Sequence, residues 1–410
     1  MILISKNFTI NIIFPSIVFI FYAFQLSSEE TNISFHGMVD LNSQKIFETY
    51  KYSEKSHKEL AVGFSISNFN ARISINNPDK NTSFDGSLIE YKNGLTQIGF
   101  GAIDRNWSFS PTSSLILSHN AQPTKSMYFK SGSDERSDLF WLYPLGPWSI
   151  EFFNGVQDIN TEPEDPMILG ARGVIEPLNG LKFEILQTSQ WGGVGTGENL
   201  QTLSSAIFGN TNEGKDKEIN RMAGFGFSYR FPEKNNYFRI YGQAIGEDEA
   251  GSLPSCFMFL YGAEWTNNIK EYPLTFNLEI VDTRIDHTEN MNCGPNTAYR
   301  NNTYPYTNRS RGMGASIDSE GNSAEFSTKV EISDTTELNY IIKNIHINDK
   351  NNSNHRLSSV RQQGVTNSLN LVWRKNKAVF KLGVSHSGLS LDKVNIKSGA
   401  NIKLSTKFTF

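Results

Sequence analysis

The chain has 410 residues, a net charge of −4 and two cysteines. That balance implies no general attraction to nucleic acid, and beyond the first 28 residues no run approaches the apolar length of a membrane helix. Yet 29 Phe, 15 Tyr and 6 Trp are present, which fits an exported transmembrane β-barrel, where only every second residue meets lipid.

Residues 1–28 read as a secretory signal peptide. Lys6 supplies the positive start, 10–26 is apolar, and Ser27 and Ser28 precede Glu29 and Glu30, so cleavage is expected after Ser28. The alternative is a retained anchor helix, but a run of about 17 residues containing Asn11 and Pro15 is marginal for spanning. Residues 29–60 read as a short periplasmic segment or a first strand. Within them 34–41 has a strand pattern, and 42–60 is polar and suggests a short helix. Residues 61–410 are expected to form the barrel.

From Leu60 the pattern is alternation with turn punctuation. Phe69, Ala71, Ile73 and Ile75 alternate with Asn70, Arg72 and Ser74, and Asn76, Asn77, Pro78 and Asp79 then make a turn. Strands at 87–92 and 95–103 are joined by Asn93-Gly94, a strong hairpin signal. Short strands are expected at 139–143 and 148–153, around Pro144 and Pro147. Another hairpin spans 167–175 and 181–190, and the Gly-, Asn- and Thr-rich stretch 192–219 is a long loop. Clear alternation follows at 225–231, 237–246, 257–265, 274–280, 324–332, 338–342 and 378–384. The last ten residues place Ile402, Leu404, Thr406, Phe408 and Phe410 on one face and Asn401, Lys403, Ser405, Lys407 and Thr409 on the other. That length crosses a bilayer when tilted. The fold class is therefore all-β, an antiparallel barrel of about 16–18 strands.

Alternating direction then orients the chain. With Phe410 on the periplasmic side, 374–377 and 333–336 are short periplasmic turns, and 318–321, 347–365 and 387–400 face outside. If 311–317 is a strand running outward, a descending segment is needed at 298–306. Its sequence, AYRNNTYPY, is a poor membrane strand, and passage through the lumen is the alternative. Cys256 and Cys293 come to the same external side, and an oxidising setting predicts a disulfide between them.

Several groups could carry chemistry. Asp104, Arg105 and Trp107 pair an aromatic with bidentate polar groups, as saccharide sites do, or form a lumenal ion pair supporting a folded-in loop. Gln190 and Trp191 end a strand before two glycines, so Trp191 stacks on a sugar or joins the interfacial aromatic girdle. Glu247, Asp248 and Glu249 are a loop carboxylate triplet. No spaced ligand set accompanies them, so a structural loop paired with Arg309 and Arg311 is expected and not a metal site. Those two arginines would alternatively hold an acidic polysaccharide bidentately. Catalysis is poorly supported. Ser118-His119 and His386-Ser387 are neighbours that would point to opposite faces of a strand. No cofactor motif and no zinc spacing are present.

Four stretches carry a family resemblance: IDRNWSFSPTSSLILSHNAQP at 103–123, PLNGLKFEILQTSQWGG at 177–193, YGQAIGEDEAGSLPS at 241–255 and RSRGMGASIDSEG at 309–321. Together they resemble the Wzi capsule-assembly family of outer-membrane proteins. The resemblance implies a barrel of about 18 strands with an occluded lumen. It also implies a cell-surface lectin, and not an enzyme, that attaches capsular polysaccharide. Outer-membrane lipid and the insertion machinery that reads Phe410 would be its other partners. A porin or glycan-export channel is the alternative on the same architecture. Family members usually carry a periplasmic helical bundle before the barrel, and residues 29–60 are too short and too weakly helical for one.

Overall fold

The structure, a computed structural model, describes residues 31–48, 54–78, 82–159, 161–208, 219–232, 237–250, 253–269, 272–285 and 293–410. The expected signal peptide lies outside the described residues, as do 233–236 and 270–271 in two of the expected turns.

Eighteen strands form one sheet. They are Thr31–Asn42 (β1), Ser56–Ile66 (β2), Phe69–Pro78 (β3), Leu88–Asn93 (β4), Thr96–Ala102 (β5), Lys125–Ser133 (β6), Trp148–Val156 (β7), Met167–Leu178 (β8) and Leu181–Trp191 (β9). The series continues with Asn220–Phe231 (β10), Tyr237–Ala250 (β11), Leu253–Ile269 (β12) and Tyr272–Asp282 (β13). A small separate hairpin, Thr307–Asn308 (β14) and Arg311–Gly312 (β15), intervenes. Then come Asn322–Ser333 (β16), Thr336–Ile347 (β17), Gln362–Lys375 (β18), Ala378–Ser387 (β19) and Gly399–Thr409 (β20). Each barrel strand is antiparallel to the next, β13 pairs directly with β16, and β20 returns to β1 with Leu404 opposite Leu41. Closure leaves no strand edge, which a bilayer demands of any β-structure that spans it.

Alternation decides which side each residue faces. On β20, Ile402, Leu404 and Phe408 are exposed outward while Asn401 is buried. On β1, Ile33, Phe35, Val39 and Leu41 are likewise exposed. At one end the strands join through two-residue turns at 67–68, 94–95, 179–180, 334–335 and 376–377. Ser67, Gly94, Gly180 and Asn376 take positive φ there, the conformation that matches the twist of a tight hairpin. Long connections gather at the other end. Short turns mark the periplasmic side of such barrels and long loops the outer side.

The long loops do not all stand out in solvent. Residues 103–124, 283–285 and 293–321 pack within the barrel, burying Trp107, Leu115, Ile116, Tyr299, Tyr306 and Ile317. The rings of Tyr299 and Tyr306 stack at 5.7 Å. Ile46 and Phe47 of the 43–55 loop are buried as well.

Several expectations need correction. Residues 139–143 are not a strand. They lie in the 134–147 connection, where Tyr143–Leu145 is a single helical turn, and the strand of this hairpin is β6. Pro144, Gly146 and Pro147 cannot sustain a ladder there. Among the described residues of the 42–60 stretch there is no helix, and Ser56 already starts β2. Residues 311–317 are not a barrel strand, since only Arg311 and Gly312 pair, with β14. With that strand removed, β13 and β16 are neighbours and no descending segment at 298–306 is required. The 192–219 loop contains a helix, Leu200–Phe208 (α1). Glu247, Asp248 and Glu249 belong to β11, with Asp248 opposite Ser255.

The seam between β1 and β20 depends on the last residues. Phe410 N donates to Phe35 O at 2.9 Å, and Phe35 N to Phe410 O at 3.1 Å. Deleting Phe408, Thr409 and Phe410 should remove the β20-side partners of Phe35, His36 and Gly37 and block membrane insertion. The check is heat-modifiable gel mobility of the outer-membrane fraction; normal levels of the folded, fast-running form would contradict this closure.

Candidate functional site

A cleft of about 530 Å³ opens at the long-loop end. Residues from four connections and the small hairpin line it. The turn after β3 contributes Thr82, Ser83 and Phe84. It is folded tightly: Asn76 and Ser83 exchange both backbone hydrogen bonds at 2.8 Å, and Ser83 Oγ donates to Asp85 Oδ2 at 2.9 Å. Phe84 is left half exposed, at 48 %. Lys45 and Glu54 come from the 43–55 loop, Lys125 from the start of β6, and Asp158 from the end of β7.

Arg309 and Arg311 line the same cleft. They flank the turn of the β14–β15 hairpin, where Arg309 and Ser310 hold φ of 48° and 64°. A non-glycine residue there costs about 1–2 kcal/mol, so surrounding contacts must hold it. Arg309 N donates to Asp158 O at 2.7 Å. Its Nη1 reaches both Asp85 carboxylate oxygens at 2.9 Å and Gln122 Oε1 at 2.8 Å. Arg311 is paired with Glu54, which Lys45 also meets at 2.9 Å. Of the expected partners, the side chains of Asp248 and Glu249 lie outside the described ones. Glu247 is buried in the β11 wall, and the carboxylates that hold the arginines are Asp85, Asp158 and Glu54.

This leaves Lys125. It is exposed, and among the described residues its ammonium has neither a hydrogen-bond nor an ion-pair partner. Four cations, Lys45, Lys125, Arg309 and Arg311, face three carboxylates, Glu54, Asp85 and Asp158. Among the described residues the surplus charge is therefore Lys125. Phe84 and Lys125 were not singled out in the sequence. The available signal was an aromatic residue in an otherwise polar turn, Asn76 to Gly86.

The other expected site residues do not line this cleft, and Arg105 and Trp107 brace the plug as struts. Arg105 is buried, its Nε 2.9 Å from Glu151 Oε1 and its guanidinium 4.1 Å from the Phe153 ring centre. Trp107 is buried too, donating Nε1 to Glu151 Oε2 at 3.3 Å and meeting Phe153 edge-on at 5.4 Å. Asp104 is half exposed and bonds His119 Nδ1 at 2.6 Å. Gln190 is buried and donates to Gln157 Oε1 and Pro305 O at 2.9 and 3.0 Å. Trp191 neither projects to solvent nor joins a lipid girdle: it is buried with Ala206 of α1 and Ile219. Cys256 and Cys293 form a disulfide with Cα atoms 5.3 Å apart, tying β12 to the plug. Among the described residues no cluster of three His, Cys, Asp or Glu suits a metal ion.

One outer ion pair titrates predictably. Burial pushes Asp318 up, but the charge and hydrogen bonds of Arg356, whose Nε lies 2.7 Å from Oδ2, hold its carboxyl below the ordinary range.

A closed barrel of eighteen strands, with loops packed into its lumen and a polar cleft at its outer mouth, defines a plugged outer-membrane barrel. Residues 31–401 match the model of the capsule assembly protein Wzi, and the chain belongs to that family. Among solved structures it is similar to Escherichia coli Wzi, reported as an outer-membrane protein involved in group 1 capsule assembly and a carbohydrate-binding β-barrel. The TM-score is 0.78 at 18 % identity, over 92 % of this chain and 84 % of that one. Acinetobacter baumannii OccAB3 gives a TM-score of 0.54 at 9 % identity, over 93 % and 99 % of the two chains. Pseudomonas aeruginosa OprD gives 0.53 at 8 %, over 93 % and 95 %. At these identities the likeness concerns the fold. A protein of the Klebsiella pneumoniae cps region, described as an uncharacterized 55.8 kDa protein, is 28 % identical over 191 residues, 46 % of this chain. The match spans 38 % of that relative's length.

Two outcomes test the struts. Glu151→Ala should strand the buried Arg105 charge and cost about 3–5 kcal/mol, whereas Glu151→Leu with Arg105→Met should recover much of the loss. Thermal unfolding in detergent measures both, and equal losses in the two variants would contradict the pairing. For Asp318, a folded pKa below the unfolded value of about 3.9 means stability present above that pH and lost as pH falls through the folded value. Asp318→Asn should lower stability at neutral pH and flatten this acid loss, read as the melting midpoint against pH.

Proposed function

We propose that the outer cleft binds an acidic surface polysaccharide and that the protein thereby helps attach or assemble the capsule at the cell surface. The observation that carries this reading is Lys125, an unpaired cation in a cleft edged by Phe84. A planar apolar ring offers a platform for the C–H face of a sugar. An unpaired ammonium offers a partner for a carboxylate, at no cost in breaking an existing ion pair. Thr82, Ser83 and Gln122 add hydroxyl and amide groups for ring hydroxyls. The volume lies within the roughly 300–1,000 Å³ of ordinary ligand sites. Membership of a capsule-assembly family supports the role, and so does the carbohydrate binding reported for E. coli Wzi.

In this reading Arg309 and Arg311 shape the cleft, because their donors are already committed to carboxylates. Lys125 makes the ionic contact. A porin or export channel is the competing reading, and the packed lumen counts against it: single-channel conductance in planar bilayers should be slight.

The test uses the acidic capsular polymer of the producing strain and the same polymer with its carboxylates reduced to alcohols. Wild type should bind the native polymer at least about tenfold more tightly than the reduced one, the worth of one charge-assisted contact. Lys125→Met should bring native binding down to the reduced level, while Lys125→Arg retains it. Phe84→Ala should weaken both polymers. Equal binding of the two forms by wild type would remove the acidic preference, and no binding of either would remove the polysaccharide reading.

A further inference from the structure

The periplasmic end has one conspicuous exception to its short turns. Residues 134–147, between β6 and β7, form a long connection with an apolar tip. Leu139, Phe140, Trp141 and Tyr143 are all exposed, Phe140 at 92 %. The connection is not loosely draped. Arg136 Nη1 donates to Tyr143 O at 2.6 Å and its Nη2 to Pro177 O, near the end of β8, at 2.8 Å. The guanidinium also sits 5.1 Å from the Tyr143 ring centre. Leu142 and Tyr143 both donate backbone hydrogen bonds to Leu139 O, at 2.9 and 2.8 Å, and Glu176 N donates to Pro147 O at 2.8 Å. The loop is fastened to β8, yet the large side chains have no protein to cover them.

We propose that this loop is an interfacial anchor, bedded in the inner-leaflet boundary between phospholipid head groups and acyl chains. Three observations favour lipid as the occupant. The loop continues an established lipid-facing surface: Met127 on β6 and Phe152 on β7 are exposed on the outer wall, and Phe129 and Phe152 lie ring to ring at 6.5 Å. Leu178, next to the Pro177 that Arg136 grips, is exposed beside it. Second, the composition is that of a membrane boundary, where Trp and Tyr place apolar rings inward and their polar edges among head groups. Third, Asp134, Glu135 and Asp138 precede the tip and are exposed. Carboxylates suit the ammonium heads of phosphatidylethanolamine better than an anionic surface. The anchor would fix the height and tilt of the barrel in the bilayer from a point outside the strands.

Tryptophan fluorescence of the full chain, inserted into vesicles of phosphatidylethanolamine and phosphatidylglycerol, tests this. Subtracting the spectrum of Trp141→Phe isolates the Trp141 signal. Acyl chains brominated close to the head group should remove most of that signal, chains brominated near their ends should remove less, and aqueous iodide should remove little. Quenching by iodide without quenching by bromolipid would place the tip in water and overturn the proposal. Quenching by neither would mean that a protein surface, a second copy included, covers it, and would overturn it equally. If Trp141→Phe fails to show the heat-modifiable mobility of the folded barrel, Phe140→Trp supplies the probe instead, read as the added signal by the same criteria.

Discussion

Irregular backbone inside a membrane barrel survives only if the wall around it satisfies its polar groups, and the rest of this structure depends on that supply. Gln243, a buried side chain of β11, both donates to Trp107 O at 2.6 Å and accepts from Leu115 N at 2.9 Å. Tyr299 and Tyr306 donate to Leu115 O and Ile116 O, each at 2.8 Å. Glu151 receives both Arg105 and Trp107. The 103–124 and 293–321 segments are thus bound to the wall and to each other. The β14–β15 hairpin is carried on the second of them. Arg309 can sit in left-handed backbone only because that platform presents it to Asp85 and Asp158.

The cleft inherits its character from this arrangement. Arginines that fill their donors with carboxylates are positioning groups: they join the 43–55 loop, the turn after β3, the end of β7 and the small hairpin into one rim. Loops so tied lose little further entropy when a ligand arrives, and preorganisation of this kind favours binding. An exposed lysine keeps its stem mobile, and its compact charge can follow a carboxylate whose position varies along a polymer. Rigid frame and adaptable contact are therefore separate residues.

Much of the fold was legible because lipid imposes a period of two. Ile402, Leu404 and Phe408 against Lys403, Ser405 and Lys407 leave little choice of face. The direction of the strands alone brings Cys256 and Cys293 to one side. The failures have physical causes. β6, KSMYFKSGS, spans only nine residues and its apolar positions are few, while Leu139 to Tyr143 look more strand-like because their apolar side chains answer to an environment beyond the sheet. The 311–317 stretch alternates weakly because it packs among other plug residues and has no lipid side. The candidate site was half legible. Arg309 and Arg311 do line the cleft, but Arg105, Trp107, Gln190 and Trp191 are buried in other contacts, and sequence does not say which polar residue beside an aromatic is already taken. Phe84 and Lys125 become visible only when loops distant in sequence are brought together.

The charges within the lumen bear on what such a barrel can do. Arg172 meets Glu184 at 2.5 Å, Arg239 meets Glu264 at 3.1 Å, and Lys343 meets Glu325 at 3.5 Å with both side chains almost wholly buried. Buried pairs of this sort add little net stability, because desolvation offsets their attraction. They do demand one register, since a shifted loop or strand would leave each charge alone. Channels that select ions or sugars instead present rings of like charge to the passing solute. Here each lumenal pair cancels in place, and the plug fills the space between. In the proposed reading recognition is thereby displaced from the lumen to the mouth, where Lys125 offers its charge to the cleft.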